Sequence, residues 1–484
     1  MRLISQFSSE ICRPLSHLIN TCLSEGTYPK IWKKEIVTPV PKVHPPEKVK
    51  DLRRISGLMN FAKVTDKILA EYIIEDMEKT RDKAQYGNLK RVSIQHYIIK
   101  MLNKVLTSLE GEKNSKPFAV ILEMIDWKQA FDRQSHQIGI KSFQKNGVRA
   151  GLFPILMSFF QNREMVVKWN GLFSKPRPLP GGGPQGDILG ILEYLAQTND
   201  NCEFVSLDEK YKFIDDLSLL EIVDLICAGL SSYDCMSHVP SDIGIDSAFL
   251  DANNIKSQLY LDNISSWTDS NQMELNASKS NYMIFNFSRN YKFQTRLYLN
   301  GSLLEQVEKK KLLGLILSDD LSWKSNTAET TKKAYKRMII LRNLFQFGVP
   351  IDDLIHIYIL YIRSVLEQSA VVWHSSLTEG ERLGLERVQK VALRLILKED
   401  YLSYSHALEI TGLPTLESRR THLCLQFAKK CVQSEATKDM FPLNEHNRST
   451  RNPEKYHVPF ARTDRLKNSA IPYMARLLNA EHQS

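Results

Sequence analysis

Tyr211-Lys212-Phe213-Ile214-Asp215-Asp216 and, upstream, Asp126-Trp127-Lys128-Gln129-Ala130-Phe131-Asp132 are the stretches that decide how this chain reads. Each puts an acidic residue directly after apolar, β-favouring residues: Val120-Ile121-Leu122 lead into the upstream one, Tyr211 to Ile214 into the other. Carboxylates at the ends of two strands that lie side by side are what a pair of Mg²⁺ ions needs. Two such ions, about 3.5–4 Å apart, activate a primer hydroxyl and stabilise a leaving pyrophosphate in an in-line phosphoryl transfer. That constellation points to a nucleic-acid polymerase. Against it stands the commoner fate of an Asp-Asp pair between apolar runs, which is an ordinary solvated hairpin turn. Glu203, Asp208, Glu209, Asp215, Asp216, Glu221 and Asp224 make the neighbourhood strongly acidic in a chain whose net charge is +9. A local negative well inside a basic protein fits a cation site within a polyanion-binding surface.

A third stretch, Leu179-Pro180-Gly181-Gly182-Gly183-Pro184-Gln185-Gly186-Asp187-Ile188-Leu189-Gly190, lies between the two acidic ones. Its glycines let the backbone pass close to a ligand, and a helix-like run from Ile188 to Leu195 begins just beyond it. Gln185 can offer an amide to a nucleotide sugar or base. A lone glycine-rich loop is weak evidence, since surface turns of this composition are common. The order Asp126, Pro184-Gln185-Gly186, Asp215-Asp216 is far more specific.

Composition bounds the rest. At 484 residues the chain exceeds one ordinary core and should form two or three subdomains. With 43% hydrophobic and 25% charged residues it has the make-up of a soluble globular protein. No apolar run approaches the ~20 residues of a membrane span, and Met1 to Ser5 lack the apolar region of a secretory signal. Seven scattered cysteines read as reduced thiols of cytosol or nucleus rather than a disulfide frame. Residues 1–54 hold 10 Lys+Arg against 5 Asp+Glu, a net of +5, whereas residues 201–270 hold 3 against 13, a net of −10. A basic N-terminal segment and an acidic centre suit a protein that neutralises phosphates around a metal site.

Periodicity predicts helices over 1–25, 60–80, 93–108 and 136–146, with a Pro-punctuated extended stretch from Pro39 to Pro46. The segment from Cys235 to Leu259 reads as a polar surface excursion. Gln294–Asn300 and Lys311–Leu317 read as the two strands of one hairpin. Beyond Trp323 the period turns helical, and Arg387, Lys390, Arg394 and Lys398 stand on one face. Such a stripe is commonly a solvated charged face; here a contact with nucleic-acid phosphates is modestly favoured, and Lys332, Lys333, Lys336 and Arg337 form a similar group.

In their order the motifs resemble those of the reverse transcriptases of non-LTR (LINE-like) retrotransposons. Trp32-Lys33, Pro41-Lys42, Arg53-Arg54-Ile55-Ser56 and Gln85-Tyr86-Gly87 precede the three motifs above. Leu275-Asn276-Ala277-Ser278-Lys279-Ser280 and Leu313-Gly314-Leu315-Ile316-Leu317-Ser318-Asp319 follow them. The resemblance runs from about Tyr28 to Trp323, and the downstream segment looks like the tail of such elements. It implies an α+β right-hand polymerase: fingers and an antiparallel-sheet palm with a primer-grip hairpin over 1–318, a helical thumb over 319–400, and a basic, mainly helical C-terminal region over 401–484. It also implies RNA-directed DNA synthesis with two Mg²⁺ ions (Mn²⁺ as a substitute), an RNA template, a DNA primer and dNTPs, in nucleus and cytoplasm and without a membrane.

The same resemblance implies roles. Asp126 and Asp215 are the principal metal ligands, with Asp216 completing the acidic site. Phe131 falls under the incoming sugar, where a ring would clash with a ribose 2′-hydroxyl; the alternative is a core aromatic. Lys42 and Arg53 grip the triphosphate, the Arg bidentately, or are two more solvated cations. Gln185 and Gly186 belong to the substrate-binding loop. Lys279 matches the lysine that protonates the leaving pyrophosphate, and a helix-end lysine is its bland counterpart.

Two departures stand out. Arg54 takes a place usually held by Pro, and Asp187 one usually held by a small residue, where a carboxylate could repel the triphosphate. Neither an endonuclease segment before Tyr28 nor an RNase H segment is evident, so an endonuclease acting in trans is expected. Asp187 and the missing endonuclease motivate the alternative of a catalytically inactive, nucleic-acid-binding relic. In the tail, Cys424, Cys431, His422 and His446 do not have closed zinc spacing and read as core or incidental residues, while Arg451, Lys455, Tyr456, Arg462 and Arg465 interleave cations with an aromatic.

Overall fold

The computed structural model describes residues 6–43, 45–110, 117–179, 181–183, 186–225, 249–250, 255–288, 293–444 and 455–483. Gln185, Arg451, His446 and most of the expected surface excursion from Cys235 to Leu259 lie outside the described residues.

In chain order come α1 (Ser8–Glu25), β1 (Lys34–Pro41), β2 (Leu52–Gly57), α2 (Asn60–Met77), α3 (Ile94–Glu110) and β3 (Phe118–Ile125). Then follow α4 (His136–Lys145), α5 (Phe153–Phe160), β4 (Glu164–Trp169), α6 (Ile188–Gln197), β5 (Lys210–Phe213), β6 (Asp216–Asp224), α7 (Lys256–Asn271) and β7 (Asn281–Asn286). The helices expected near 1–25, 60–80, 93–108, 136–146 and 188–195 are therefore present. The last residues of the expected excursion open α7 instead of remaining irregular.

Five strands form the central sheet, in the order Glu305–Gln306, β7, β3, β6, β5, antiparallel except for the first pair. Phe118-Ala-Val-Ile-Leu-Glu-Met-Ile125 is buried along nearly its whole length, as its unbroken apolar run requires of a strand covered on both faces. One face is covered by α3 and the C-terminal helices, the other by α7 and residues around Tyr194. A second sheet pairs β1 antiparallel with β2 and parallel with β4. A third core joins α1, α2, α4, α5 and α6 through Leu69, Phe143, Phe159 and Leu192.

The single hairpin expected from Gln294–Asn300 and Lys311–Leu317 is not what forms. Tyr298–Leu299 pairs with Ser302–Leu303, and Lys309–Leu312 with Leu315–Ser318, giving two separate hairpins. Tight turns with positive φ explain the difference: Asn300 and Gly301 stand at +49° and +73°, Leu313 and Gly314 at +46° and +93°. Two successive positive φ values make the two-residue connection whose twist suits adjacent strands, and Asn-Gly is its strongest sequence signal.

The C-terminal half is helical, with α8 (Lys324–Gln346), α9 (Glu379–Leu397), α10 (Leu416–Val432) and α11 (Ala470–Gln483) as its longest elements. Thr378 and Glu381 cap α9 reciprocally. A single core runs from Tyr97 and Leu220 through Leu385 to Cys424, Cys431 and Met474, so the packing is continuous across residues 318/319 and 400/401. Of the cationic stripe on α9, Lys390 lies over Tyr404, Arg394 over Tyr401 and Lys398 over Phe345. Among the described residues no helix is long and apolar enough to cross a membrane.

Candidate active site

β3 and β6 pair out to Ile125 opposite Leu217, so the next step of the ladder brings Asp126 beside Asp216. β5 and β6 are joined by a two-residue turn, Ile214-Asp215, between the paired Phe213 and Asp216. The commonplace hairpin is thus real, and it delivers both carboxylates to the end of the strand that carries Asp126.

The loop from Glu274 to Ser280 holds Asp126. Its backbone N–H donates to Ser280 Oγ (3.0 Å), its carbonyl accepts from Asn276 N–H (2.8 Å), and its Oδ2 accepts from Asn276 Nδ2 (3.1 Å). Lys279 Nζ lies 3.9 Å from the same Oδ2. Burial raises the Asp126 carboxyl, opposed by Lys279 and Asn276. For Asp215, burial and Asp126 act upwards while Arg53 pulls down. Asp216 is pushed to about 6 by burial and by its two acidic neighbours. Asp126 raises Asp215, and both raise Asp216, so the three carboxyl groups form a donor set suited to a hard divalent cation. Among the described residues, no three His, Cys, Asp or Glu side chains already converge as a cage. Mg²⁺ is usually held by one or two carboxylates together with substrate phosphates, so a prebuilt cage is not required.

Beside the carboxylates opens a cavity of about 1200 Å³, lined among others by Lys42, Arg53, Arg54, Phe131, Gly186 and Asp215. Lys279 lines this cavity and also an adjoining one, of about 390 Å³, that reaches Asp126 and Asp216. The residues nominated from the sequence are thereby brought to one place, apart from Gln185, which lies outside the described residues. Phe131 is half-buried with its ring centroid 5.0 Å from that of Tyr194, and it lines the cavity while capping a core.

Of the glycine loop, Gly183 and Gly186 line the cavity, while Gly182 and Gly183 also make contacts within the protein. Gly182 N–H donates to Gln134 O (2.9 Å) and Gly183 N–H to Phe131 O (3.1 Å). A Cβ on Gly182, at φ +75°, would stand 2.8 Å from Asp132 O. These glycines approach the Phe131–Gln134 turn and so set the cavity wall. Arg54 ties the same wall to β2, through Asp132 Oδ1 (3.0 Å) and Gly183 O (3.1 Å). Asp187 is only 3% exposed and caps α6 through Leu189 N–H (3.3 Å). Burial raises its carboxyl, with the Leu189 N–H and Arg163 opposing, and the residue lines the cavity beside Gly186.

Sequence reading assigned no task to Asn276, Gln85 or Tyr194. The first two sit inside motifs that were quoted, so the signal was present without a role. Tyr194 shows only as one apolar position of α6, yet it lies beneath all three carboxylates, which with burial drive its hydroxyl far upward.

No family model matches the chain. In class, it is similar to RNA-directed DNA polymerases of mobile elements. In particular, it is 25% identical over 332 residues to the probable RNA-directed DNA polymerase from transposon BS of Drosophila melanogaster, covering 68% of this chain and 34% of that protein. To the RNA-directed DNA polymerase from mobile element jockey of the same fly it is 25% identical over 361 residues, 70% of this chain and 35% of that protein. The probable polymerase from transposon X-element matches at 26% over 304 residues, 62% of this chain and 30% of that protein. The resemblance read from the motifs is borne out by these relatives, and the chain spans about a third of their length. Among solved structures, apo telomerase from Candida tropicalis overlays with a TM-score of 0.41 at 14% identity, covering 89% of this chain and 72% of that one. Telomerase from Candida albicans, with a fragment of telomeric RNA, gives 0.38 at 11%, covering 86% and 63%. Overlays this loose say nothing of individual residues.

Proposed function

We propose that this chain is the polymerase portion of a non-LTR retrotransposon protein and adds dNTPs to a primer 3′-hydroxyl on an RNA template. The observation that carries the reading is the meeting of Asp126, Asp215 and Asp216 at adjacent strand ends, beside a basic, aromatic-walled cavity. On this reading the central sheet is the palm, the β1–β2–β4 sheet with its helices the fingers, and the helices after Trp323 the thumb and C-terminal region.

Asp126, Asp215 and Asp216 would hold two Mg²⁺ ions, which supply charge neutralisation and activation of the primer hydroxyl. The remaining tasks belong to the chain. Arg53 and Lys42 bind the triphosphate from the cavity wall opposite the carboxylates. Phe131 sits where a 2′-hydroxyl would collide, which selects deoxynucleotides. Lys279, exposed at the cavity edge, carries the proton that a departing pyrophosphate takes up. The relic alternative keeps Asp187 as its motive, since that residue caps a helix and also lines the cavity.

Purified protein given a primed RNA template, dNTPs and Mg²⁺ should extend the primer. Asp126→Asn and Asp215→Asn should each abolish extension while leaving template binding largely intact. Extension by both variants at the wild-type rate would remove the assignment.

A further inference from the structure

The turn that carries Asp215 is held from behind by a segment with no part in the chemistry above. Residues 82–87, between α2 and α3, run beside β5. Lys212 donates its N–H to Ala84 O (2.9 Å), and its carbonyl accepts from Tyr86 N–H (2.8 Å). The Asp82 carboxylate meets Lys212 Nζ at 2.6 Å and Lys210 Nζ at 3.4 Å. Lys212 is 3% exposed, so this anchor is buried two residues before the turn.

Ile214 has φ +57°. A β-branched residue rarely adopts that conformation, and it persists only where the surroundings over-determine it. Gln85 supplies the constraint. Its side chain is nearly buried, and its Oε1 accepts from Ile214 N–H (2.9 Å) and from Gly87 N–H (2.8 Å). Gly87 is needed for the fit: a Cβ there would stand 2.6 Å from Ile214 N and 2.5 Å from Ile214 Cγ1. One amide oxygen therefore fixes both the strained residue and the Gly87 turn packed against it.

The geometry points to Gln85 as a positioning residue for Asp215. It clamps the left-handed Ile214 and so sets where the neighbouring carboxylate stands relative to Asp126. Its effect on synthesis rests on the polymerase reading, whereas the clamp itself does not.

The test uses the full chain with Gln85→Leu, which keeps a side chain of comparable volume and loses the acceptor, and with Gln85→Leu/Ile214→Gly, in which glycine takes positive φ without steric cost. Three quantities are measured: primer extension with dNTPs and Mg²⁺, Mn²⁺ affinity by calorimetry, and hydrogen exchange of the peptide spanning 210–220. Gln85→Leu should lower kcat about 10- to 100-fold, the scale of a misplaced reacting group, with KM for dNTP and template affinity little changed. It should also weaken Mn²⁺ binding and speed exchange at the turn, and the double variant should recover most of the lost rate. Wild-type extension and Mn²⁺ affinity in Gln85→Leu would overturn the clamp, as would a rate loss matched by loss of template binding. If the wild-type protein does not extend primers, the polymerase reading falls. The clamp then stands or falls on whether Gln85→Leu changes Mn²⁺ affinity and exchange.

Discussion

The two acidic turns of the site are built on opposite principles. Asp126 ends a straight, buried strand and is met by compensating groups: an amide donor from Asn276, the Ser280 hydroxyl at its backbone, and the Lys279 ammonium. Asp215 and Asp216 stand on a hairpin whose turn residue is strained, and their close neighbours are each other and Asp126, with Arg53 as the cation that offsets Asp215. One carboxylate is oriented by hydrogen bonds to itself. The others are oriented chiefly through the backbone of the turn, with the Asp215 carboxyl also taking a backbone N–H. The electrostatic cost is concentrated on one side of the site, where a bound divalent ion would relieve it most.

Removing the compensation tests the first half of that contrast. Asn276→Ala deletes the donor to Asp126 Oδ2 and leaves the backbone bond from residue 276 in place. Extension should fall about tenfold through kcat, since a carboxylate freed to rotate is misplaced by less than a lost strand would be. Steady-state kinetics on a primed template measure it. An unchanged kcat would mean that Lys279 and the strand suffice to orient Asp126.

Much of this was legible in the sequence, for definite reasons. Asp126 follows a long, mostly apolar run and Asp215 a short aromatic one, and their order with the glycine loop is specific, so their meeting follows from strand pairing. The helices from Ser8 to Gln197 show their period directly, except the short, apolar α5. What escaped was contact made by residues distant in the chain. Gln85 and Ile214 are separated by 129 positions, and nothing local marks one as the acceptor for the other. Gly182 reads from composition as a ligand-facing residue, because composition cannot say whether a close neighbour is a phosphate or a turn of the same protein. The hairpins at 298–303 and 309–318 were lost for a simpler reason. Leu313-Gly314 makes a tight turn inside Lys311–Leu317, a run that reads as one strand, and Asn300-Gly301 turns the other at its end.

The uncompensated side should show itself in stability. Asp216 is raised to about 6, and burial raises Glu123 and Glu193 to about 8. Each binds its proton more tightly folded than unfolded. Their contribution is fully present below the unfolded carboxyl values near 4 and is lost as pH rises through 6 and then 8. The protein without metal should therefore melt several degrees lower at pH 8 than at pH 5.5 in scanning calorimetry. Asp216→Asn should recover part of the loss at pH 8 and change little at pH 4.5. Equal melting temperatures for the variant and wild type at pH 8 would show that the repulsion is relaxed by solvent instead.

The smallest effect is expected at Asp187, where a third kind of carboxylate is found: neither compensated by design nor awaiting a cation, but folded inward. Its Oδ1 takes the Leu189 N–H, and its Oδ2 has no hydrogen-bond partner among the described residues. Asn caps a helix about as well as Asp, so Asp187→Asn keeps the cap and removes a charge that burial penalises and Arg163 only partly offsets. KM for dNTP should stay close to wild type. Stability at pH 8 should rise by no more than about 1 kcal/mol, a fraction of what burying an unpaired charge can cost. Urea unfolding and steady-state kinetics on the same preparation test both halves. A large gain in extension from this substitution would show the carboxyl swinging into the cavity during turnover. The inward carboxylate would then have to be grouped with Asp215 and Asp216, as a charge that the site exposes to its ligand.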